Sequence, residues 1–377
     1  MKKLYENLKK YPVVLLFFAF ILGFSLLDAI WPKCERSELE NRSLAQYPAI
    51  TTKGILTNQW MVNYEKYVKD QFAFRDNWID MKSRSENMLL KTENNDILLG
   101  KDHYLFKKSF AVNEKRLETN LSALEKCVAR HPGKFDIMIV PSAATVLPQL
   151  LPAWVPLADE NEFLDKISAR LSQNAAIYDL RDVFAAHSDE YIYYRTDHHW
   201  TATGAFYAYQ NYVQTKGAPA FDLNSSAAVE VKNFYGTHYS KARNVNVVPD
   251  TITYYDLPNE MTVFADGKEV PGSMYDKAKF ETRDKYAAFL RGNNGYSEIK
   301  GNGKGSILVV KDSYANSFVP YLTADYEKIG VVDYRMNLDK IDTILEKGGY
   351  DRVLFLYSFD AFSEDMYFAS RIANASM

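Results

Sequence analysis

The chain has 377 residues, and 45 basic against 48 acidic side chains leave a net charge of -3, which excludes a nucleic-acid binder working through phosphate attraction. With 47% hydrophobic and 25% charged residues it can bury a core and lacks the bias of a disordered or fibrous chain, and its length fits two units or one enlarged α/β domain carrying an insertion. Two cysteines, Cys34 and Cys127, exclude a CxxC pair, a zinc finger or a disulfide scaffold, so a metal site would have to use His and carboxylates. The 27 Tyr, 22 Phe and 5 Trp fit strands and core packing, with sugar stacking as the functional reading.

Lys2, Lys3, Lys9 and Lys10 precede an apolar stretch from Pro12 to Trp31 in which Asp28 is the first charged side chain. Its length approaches that of a bilayer-spanning helix, and Trp31 suits an interface. The bulky sequence Asp28-Ala29-Ile30-Trp31-Pro32 offers no small-x-small cleavage site, so an uncleaved signal anchor over residues 1–32 is expected. The lysines place the N-terminus in the cytoplasm and everything after about Pro32 outside: a single-pass protein of the cell membrane with an extracellular ectodomain. A buried helix of a soluble protein is the competing reading.

Residues 33–112 are charged and helical in flavour, with Trp60, Tyr64, Tyr67 and Phe72 at helix-compatible spacings; they read as a helical lead-in. Residues 113–377 alternate: helix Glu114 to Arg130, strand Phe135 to Val140, helix Asn161 to Asn174, strand Ile177 to Leu180, and a helix from about Thr201 to Lys216. From about 218 to 303, short alternating runs such as Thr251 to Tyr255 predict a β-rich insertion, broken by Pro258 and by Asp266-Gly267. The rhythm then resumes: strand Ile307 to Val310, helix Tyr314 to Leu322, strand Ile329 to Val332, helix Leu338 to Lys347 and strand Val353 to Leu356. Such alternation predicts an α/β fold, a parallel sheet with helices on both faces.

Two segments carry chemistry. In Thr196-Asp197-His198-His199-Trp200-Thr201, the period of two of an extended chain puts Asp197 and His199 on one side and His198 on the other. Asp197 can then hold the Nδ1 proton of His199 and leave Nε2 as a base. The bland reading is a His pair that packs before a helix capped by Thr201. A metal on Asp197, His198 and His199 is the sharp one, opposed by histidines that face apart, and no metal is expected. In the second segment the apolar strand Ile307 to Val310 leads through Lys311-Asp312 to Ser313, where a helix begins. This is a nucleophile's position, with the first helical N-H groups as oxyanion donors; the alternative is an ordinary N-cap. Arg335 and Tyr357 follow neighbouring strands and are substrate-site candidates, or else an ion pair and a sheet-edge aromatic.

Asp197-His198-His199-Trp200 is the signature for which the DHHW protein family is named, and with the later strand-Asp312-Ser313 the chain resembles the alginate O-acetyltransferase group of SGNH-hydrolase-like proteins. Glu40-Asn41-Arg42-Ser43-Leu44, Asp70 to Asp76 and Gly100-Lys101-Asp102 with Leu105-Phe106 look like that family's lead-in and domain entry. The resemblance implies an SGNH-hydrolase-like fold in permuted motif order, with Asp197, His199 and Ser313 as triad. It implies an extracytoplasmic O-acetyltransferase or acetylesterase acting on hydroxyls of a cell-surface polysaccharide through an acyl-serine, with no cofactor. A membrane-bound O-acyltransferase is the implied acyl donor. The sequence departs in showing no recognisable carbohydrate-binding module, which argues against alginate itself as substrate. A catalytically silent polysaccharide-binding or envelope assembly protein of the same fold is the alternative.

Overall fold

The structure, a computed structural model, describes residues 10–223, 226–244 and 246–373. It divides into a smaller unit, Met1–Leu90 with Arg243–Val245, and a larger one, Lys91–Ala242 with Asn246–Met377. The smaller unit opens with helix α1, Pro12–Ile30, an apolar segment with no buried side chain that is long enough to cross a membrane. Of the four lysines that set the expected orientation, Lys2, Lys3 and Lys9 lie outside the described residues. Helices α2, Gln59–Gln71, and α3, Arg75–Met88, follow. Trp60 stacks on Tyr64 at 5.0 Å, and Tyr47 meets Tyr64 and Tyr67 edge-on. The two lead-in motifs prove to be halves of one clamp. Arg42 donates to both oxygens of Asp70 at 2.9 and 2.6 Å, while Arg75 donates to Glu40 at 2.7 Å.

In the larger unit, after a small antiparallel ladder of Glu93–Asn94, Ile97–Leu99 and Leu105–Lys107, the main sheet is assembled from eight strands. They are β1 Phe135–Val140, β2 Ala175–Ile177, β5 Glu260–Ala265, β6 Lys268–Ser273, β7 Tyr296–Lys300, β8 Ser306–Lys311, β9 Lys328–Val332 and β10 Arg352–Ser358. β3, Ala228–Phe234, and β4, Asp250–Tyr255, form a separate antiparallel pair. The sheet order is β6-β5-β7-β9-β8-β10-β1-β2, with β9, β8, β10, β1 and β2 parallel. β1 is buried along its whole length, as an inner strand of a parallel sheet covered on both faces must be. Its alternate residues enter different layers: Ile137 and Ile139 join one core cluster, Met138 and Val140 the other. Helices α4 Glu114–Arg130, α5 Glu160–Leu171 and α7 Ile341–Gly348 supply the first cluster, and α6 Ala202–Thr215 supplies the second. The expected α/β fold with helices on both faces is therefore present.

Two local expectations need correction. The strand expected at Ile177 to Leu180 lies at Ala175–Ile177. The helix expected over Tyr314 to Leu322 is one α turn, Ala315–Phe318, continued as a 3-10 segment, Val319–Ala324, where Pro320 removes a backbone donor. The region expected as a β-rich insertion contributes β5, β6 and β7 to the main sheet, β7 pairing antiparallel with β9 from Tyr296↔Val332 to Lys300↔Lys328.

Candidate active site

β8 delivers Ser313 to the carboxyl end of the sheet, the edge at which open α/β sheets build sites. The turn is fixed by Asp312. Its buried carboxylate accepts from the Tyr314 amide at 2.8 Å and from the amide and hydroxyl of Ser358, at the end of the neighbouring strand β10, at 2.9 and 2.7 Å. Ser313 Oγ then lies 2.8 Å from His199 Nε2, and His199 Nδ1 lies 2.5 Å from Asp197 Oδ1. The structure thus brings Asp197, His199 and Ser313 into one hydrogen-bonded line. Burial alone would raise the Asp197 carboxyl, but the charges of His198 and His199, with bonds from His199 and Thr237, hold it well below the usual carboxylate range. Its second oxygen accepts from the Thr237 amide at 2.7 Å and hydroxyl at 3.1 Å.

The segment carrying the pair is not a strand. Tyr193 and Trp200 form an antiparallel bridge, and the residues between them bend back in a tight loop. This overturns the expectation that His198 faces away from Asp197, because the period of two requires extended backbone. The His198 and His199 rings pack at a tilt with centroids 3.8 Å apart, and His198 Nδ1 reaches Thr237 Oγ1 at 2.7 Å and Asp197 at 3.5 Å. Asp197, His198 and His199 accordingly offer ligand atoms within 4.8 Å of one another, a set that could hold a metal ion. Within it, His199 Nε2 is engaged by Ser313 and both Nδ1 atoms by oxygen partners.

Trp200 explains the last letter of the motif. It is fully buried, and its indole N-H donates to Tyr314 O and Ser317 Oγ, both at 2.9 Å, tying the His loop to the turn after the serine. The expected oxyanion donors are partly spent: the Tyr314 amide serves Asp312, and the Asn316 amide donates to Ser313 O at 3.2 Å.

The other two candidates are each engaged by neighbours of their own. Arg335 is held by Asp333, donating at 2.9 and 2.5 Å, and Tyr357 packs edge-on against Phe362 and Phe368 in the layer opposite to Trp200. Several residues that sequence reading passed over do surround the line. Tyr286 stacks on His199 at 3.8 Å and donates its hydroxyl to Ser313 O at 3.0 Å. Asp250 accepts from the Arg195 and Thr196 amides at 2.9 and 2.8 Å, from Thr196 Oγ1 at 2.5 Å and from the Tyr191 hydroxyl, which fixes the start of the His loop. Gly236 approaches so closely that an added Cβ would stand 2.1 Å from that of Asp197. All of these lie in the insertion or its borders and form no recognisable motif.

A cavity of about 280 Å³ opens beside the line, walled by His198, His238 and Tyr314 on one side and by Ser142, Glu160 and Asp360 on the other. Pro141 and Pro148 argue against a helix here, yet Ser142 caps a single turn, Ala143–Val146, and its amide donates to Glu160 at 2.8 Å. Burial pushes the Glu160 carboxyl up to about 7 against the opposing bonds from Ser142 and Thr145. Asp159 and Glu364 also line the cavity, and Lys107, paired to Asp360 at 3.1 Å and to Glu364 at 2.8 Å, brings a positive charge to the same wall.

Comparison with known proteins follows this geometry. The family described as DHHW protein matches residues 98–332. A protein described as a probable alginate O-acetylase, AlgJ, of Pseudomonas syringae pv. tomato is 22% identical over 206 residues, 52% of this chain and 50% of that protein. The chain thus spans about half the length of that curated relative. A DHHW family protein from Eubacterium siraeum superposes with a TM-score of 0.66 at 22% identity, covering 75% of this chain and 97% of that one. Bacillus cereus PatB1, solved with a sulfonyl adduct, superposes with a TM-score of 0.61 at 21% identity, covering 73% and 99%. These likenesses agree with the SGNH-hydrolase-like α/β fold, and the match over residues 98–332 places the chain in the DHHW protein family.

Proposed function

We propose that the chain is a membrane-anchored, extracytoplasmic serine O-acetyltransferase acting on hydroxyls of a cell-surface polysaccharide. The observation that carries this reading is the line from Asp197 through His199 to Ser313, at 2.5 and 2.8 Å. Its similarity to a probable alginate O-acetylase supports acetyl as the group and a polysaccharide as the acceptor.

In the first half-reaction Ser313 Oγ attacks the acetyl carbonyl as His199 Nε2 takes its proton. The tetrahedral intermediate collapses, His199 protonates the leaving group, and acetyl-Ser313 remains. In the second, His199 takes the proton of a sugar hydroxyl, whose oxygen attacks the acyl carbon, and Ser313 leaves with the proton returned. Asp197 holds the imidazole in the tautomer with Nε2 free and stabilises the imidazolium. Acetyl-CoA is cytoplasmic, so a membrane-bound O-acyltransferase supplies the acyl group. The cavity beside His198 and Tyr314 suits a sugar acceptor.

The test is hydrolysis of p-nitrophenyl acetate by the full chain, with mass spectrometry of the active-site peptide after a rapid quench. Acetyl on Ser313, sulfonyl fluoride labelling of the same residue and loss of about a thousandfold in Ser313→Ala are expected. An unchanged rate in a folded Ser313→Ala would refute the serine mechanism, and no hydrolysis or labelling by the unaltered chain would favour the silent polysaccharide-binding reading.

A further inference from the structure

We propose that helix α3 lies on the membrane surface beside the anchor, with its exposed apolar stripe set into the lipid interface. The inference rests on the reading of α1 as a membrane anchor. Phe74, Trp78, Met81, Ser85 and Met88 recur at intervals of four and three residues, so they share one face of α3 and its N-terminal flank. The four large side chains are 42%, 40%, 51% and 84% exposed, an apolar stripe that the unit leaves open to solvent. The other face is already used: Asp80 bonds Arg243 at 2.6 Å, Asn87 donates to Asn244 at 3.0 Å, and Ser83 is buried.

What covers the stripe is indicated by its connection to α1. The ring of Trp31, the residue that closes α1, packs at a tilt against Phe74, with centroids 4.2 Å apart. The Ala73 amide donates to Asp28 at 2.9 Å, and Lys33 donates to Gln71 O at 3.0 Å. Gln71 closes the clamp by donating to Cys34 O at 2.7 Å and accepting from the Cys34 amide at 3.0 Å. The Arg42-Asp70 and Arg75-Glu40 pairs brace the same corner, so the start of α3 is fixed to the exit of α1. If α1 spans the bilayer, Trp31 sits at headgroup depth, as Trp prefers, and Phe74 shares that depth because the rings touch. From there Trp78, Met81 and Met88 continue the stripe along a 14-residue helix, which brings them to the same interface. The partner is thus the outer lipid interface.

The experiment uses the full chain in phosphatidylcholine and phosphatidylglycerol vesicles, in a Cys34→Ser background in which Cys127 is buried. A nitroxide is attached in turn through Met81→Cys, Trp78→Cys, Leu16→Cys in the anchor and Glu269→Cys on exposed β6. Collision with oxygen is compared with collision with a water-soluble nickel chelate. The labels at 81, 78 and 16 should favour oxygen several-fold, and that at 269 the chelate. Lipid contact at 16 with water contact at 81 and 78 overturns the interfacial helix and leaves the anchor standing. Water contact at 16 overturns the anchor and the inference with it. Shielding of 81 and 78 from both reagents, meaning cover by a second copy or another protein, also overturns it.

Discussion

His198 and His199 are adjacent, in ring contact and both oriented toward Asp197, yet only His199 turns a ring nitrogen to Ser313. A base must reach the proton it removes, so His199→Ala should cost roughly a thousandfold in turnover, within the range for general acid-base catalysis. His198→Ala removes a neighbour that packs against the base and bonds Thr237, and should cost about tenfold or less. Steady-state rates of the two variants with p-nitrophenyl acetate decide the matter; equal losses that zinc restores would favour a metal on the three-residue cluster. Glu160 offers a different test. Its carboxyl titrates near 7 in the fold against 4.5 unperturbed, because burial penalises the charge. A raised folded-state pKa means stability that is complete below about 4.5 and lost as pH climbs through 7, a total of about 3 kcal/mol. Glu160→Gln keeps an acceptor for the Ser142 amide and has no proton to lose, so its urea midpoint should stay level between pH 5 and 8 while that of the parent falls. Parallel slopes for the two proteins would assign the pH dependence to another group.

Elements deliver these residues, and they differ in how openly the sequence declares them. The apolar run of β8 and the amphipathic α4 are legible because burial imposes a pattern on consecutive residues: the strand expected at Ile307 to Val310 is Ser306–Lys311, and Glu114–Arg130 matches at both ends. The direction of His198 was not legible, since alternation presumes an extended chain and the Tyr193-Trp200 bridge closes a bend. Nor were Gly236, Thr237, Asp250 and Tyr286, whose importance arises only when the insertion folds back on the His loop. Gly236 gives the strictest test of that arrangement. A Cβ there would lie 2.1 Å from Asp197 Cβ and 2.3 Å from Oδ2, so the carboxylate must move and the 2.7 Å bond from Thr237 cannot persist. Gly236→Ala should lower kcat by about a hundredfold with KM for the small ester little changed, as expected when the orientation of the base is lost. A variant with normal kcat would show that Asp197 tolerates displacement, and that the insertion does not position the triad.

For the whole chain, the class of fold is legible because β-α alternation is a global rhythm, whereas the extension of the sheet by β5 and β7 depends on pairing between residues such as Tyr296 and Val332 that no local pattern announces. The apolar segment at the start of the chain is plain in both descriptions. Every side chain of α1 stands unburied, which in water would leave Leu15, Phe17, Phe18 and Ile21 exposed together. A bilayer removes that cost, and 19 helical residues span most of its hydrocarbon thickness. The proposed orientation rests on Lys2, Lys3, Lys9 and Lys10 before the segment outnumbering Lys33 and Arg36 just after it, since basic flanks stay in the cytoplasm. Cells stripped of their wall and treated with protease should therefore lose the ectodomain, while a tag placed before Lys2 survives until the membrane is opened. Protection of the ectodomain would reverse the topology. Release of a soluble fragment beginning near Lys33 would instead mean that the segment is cleaved.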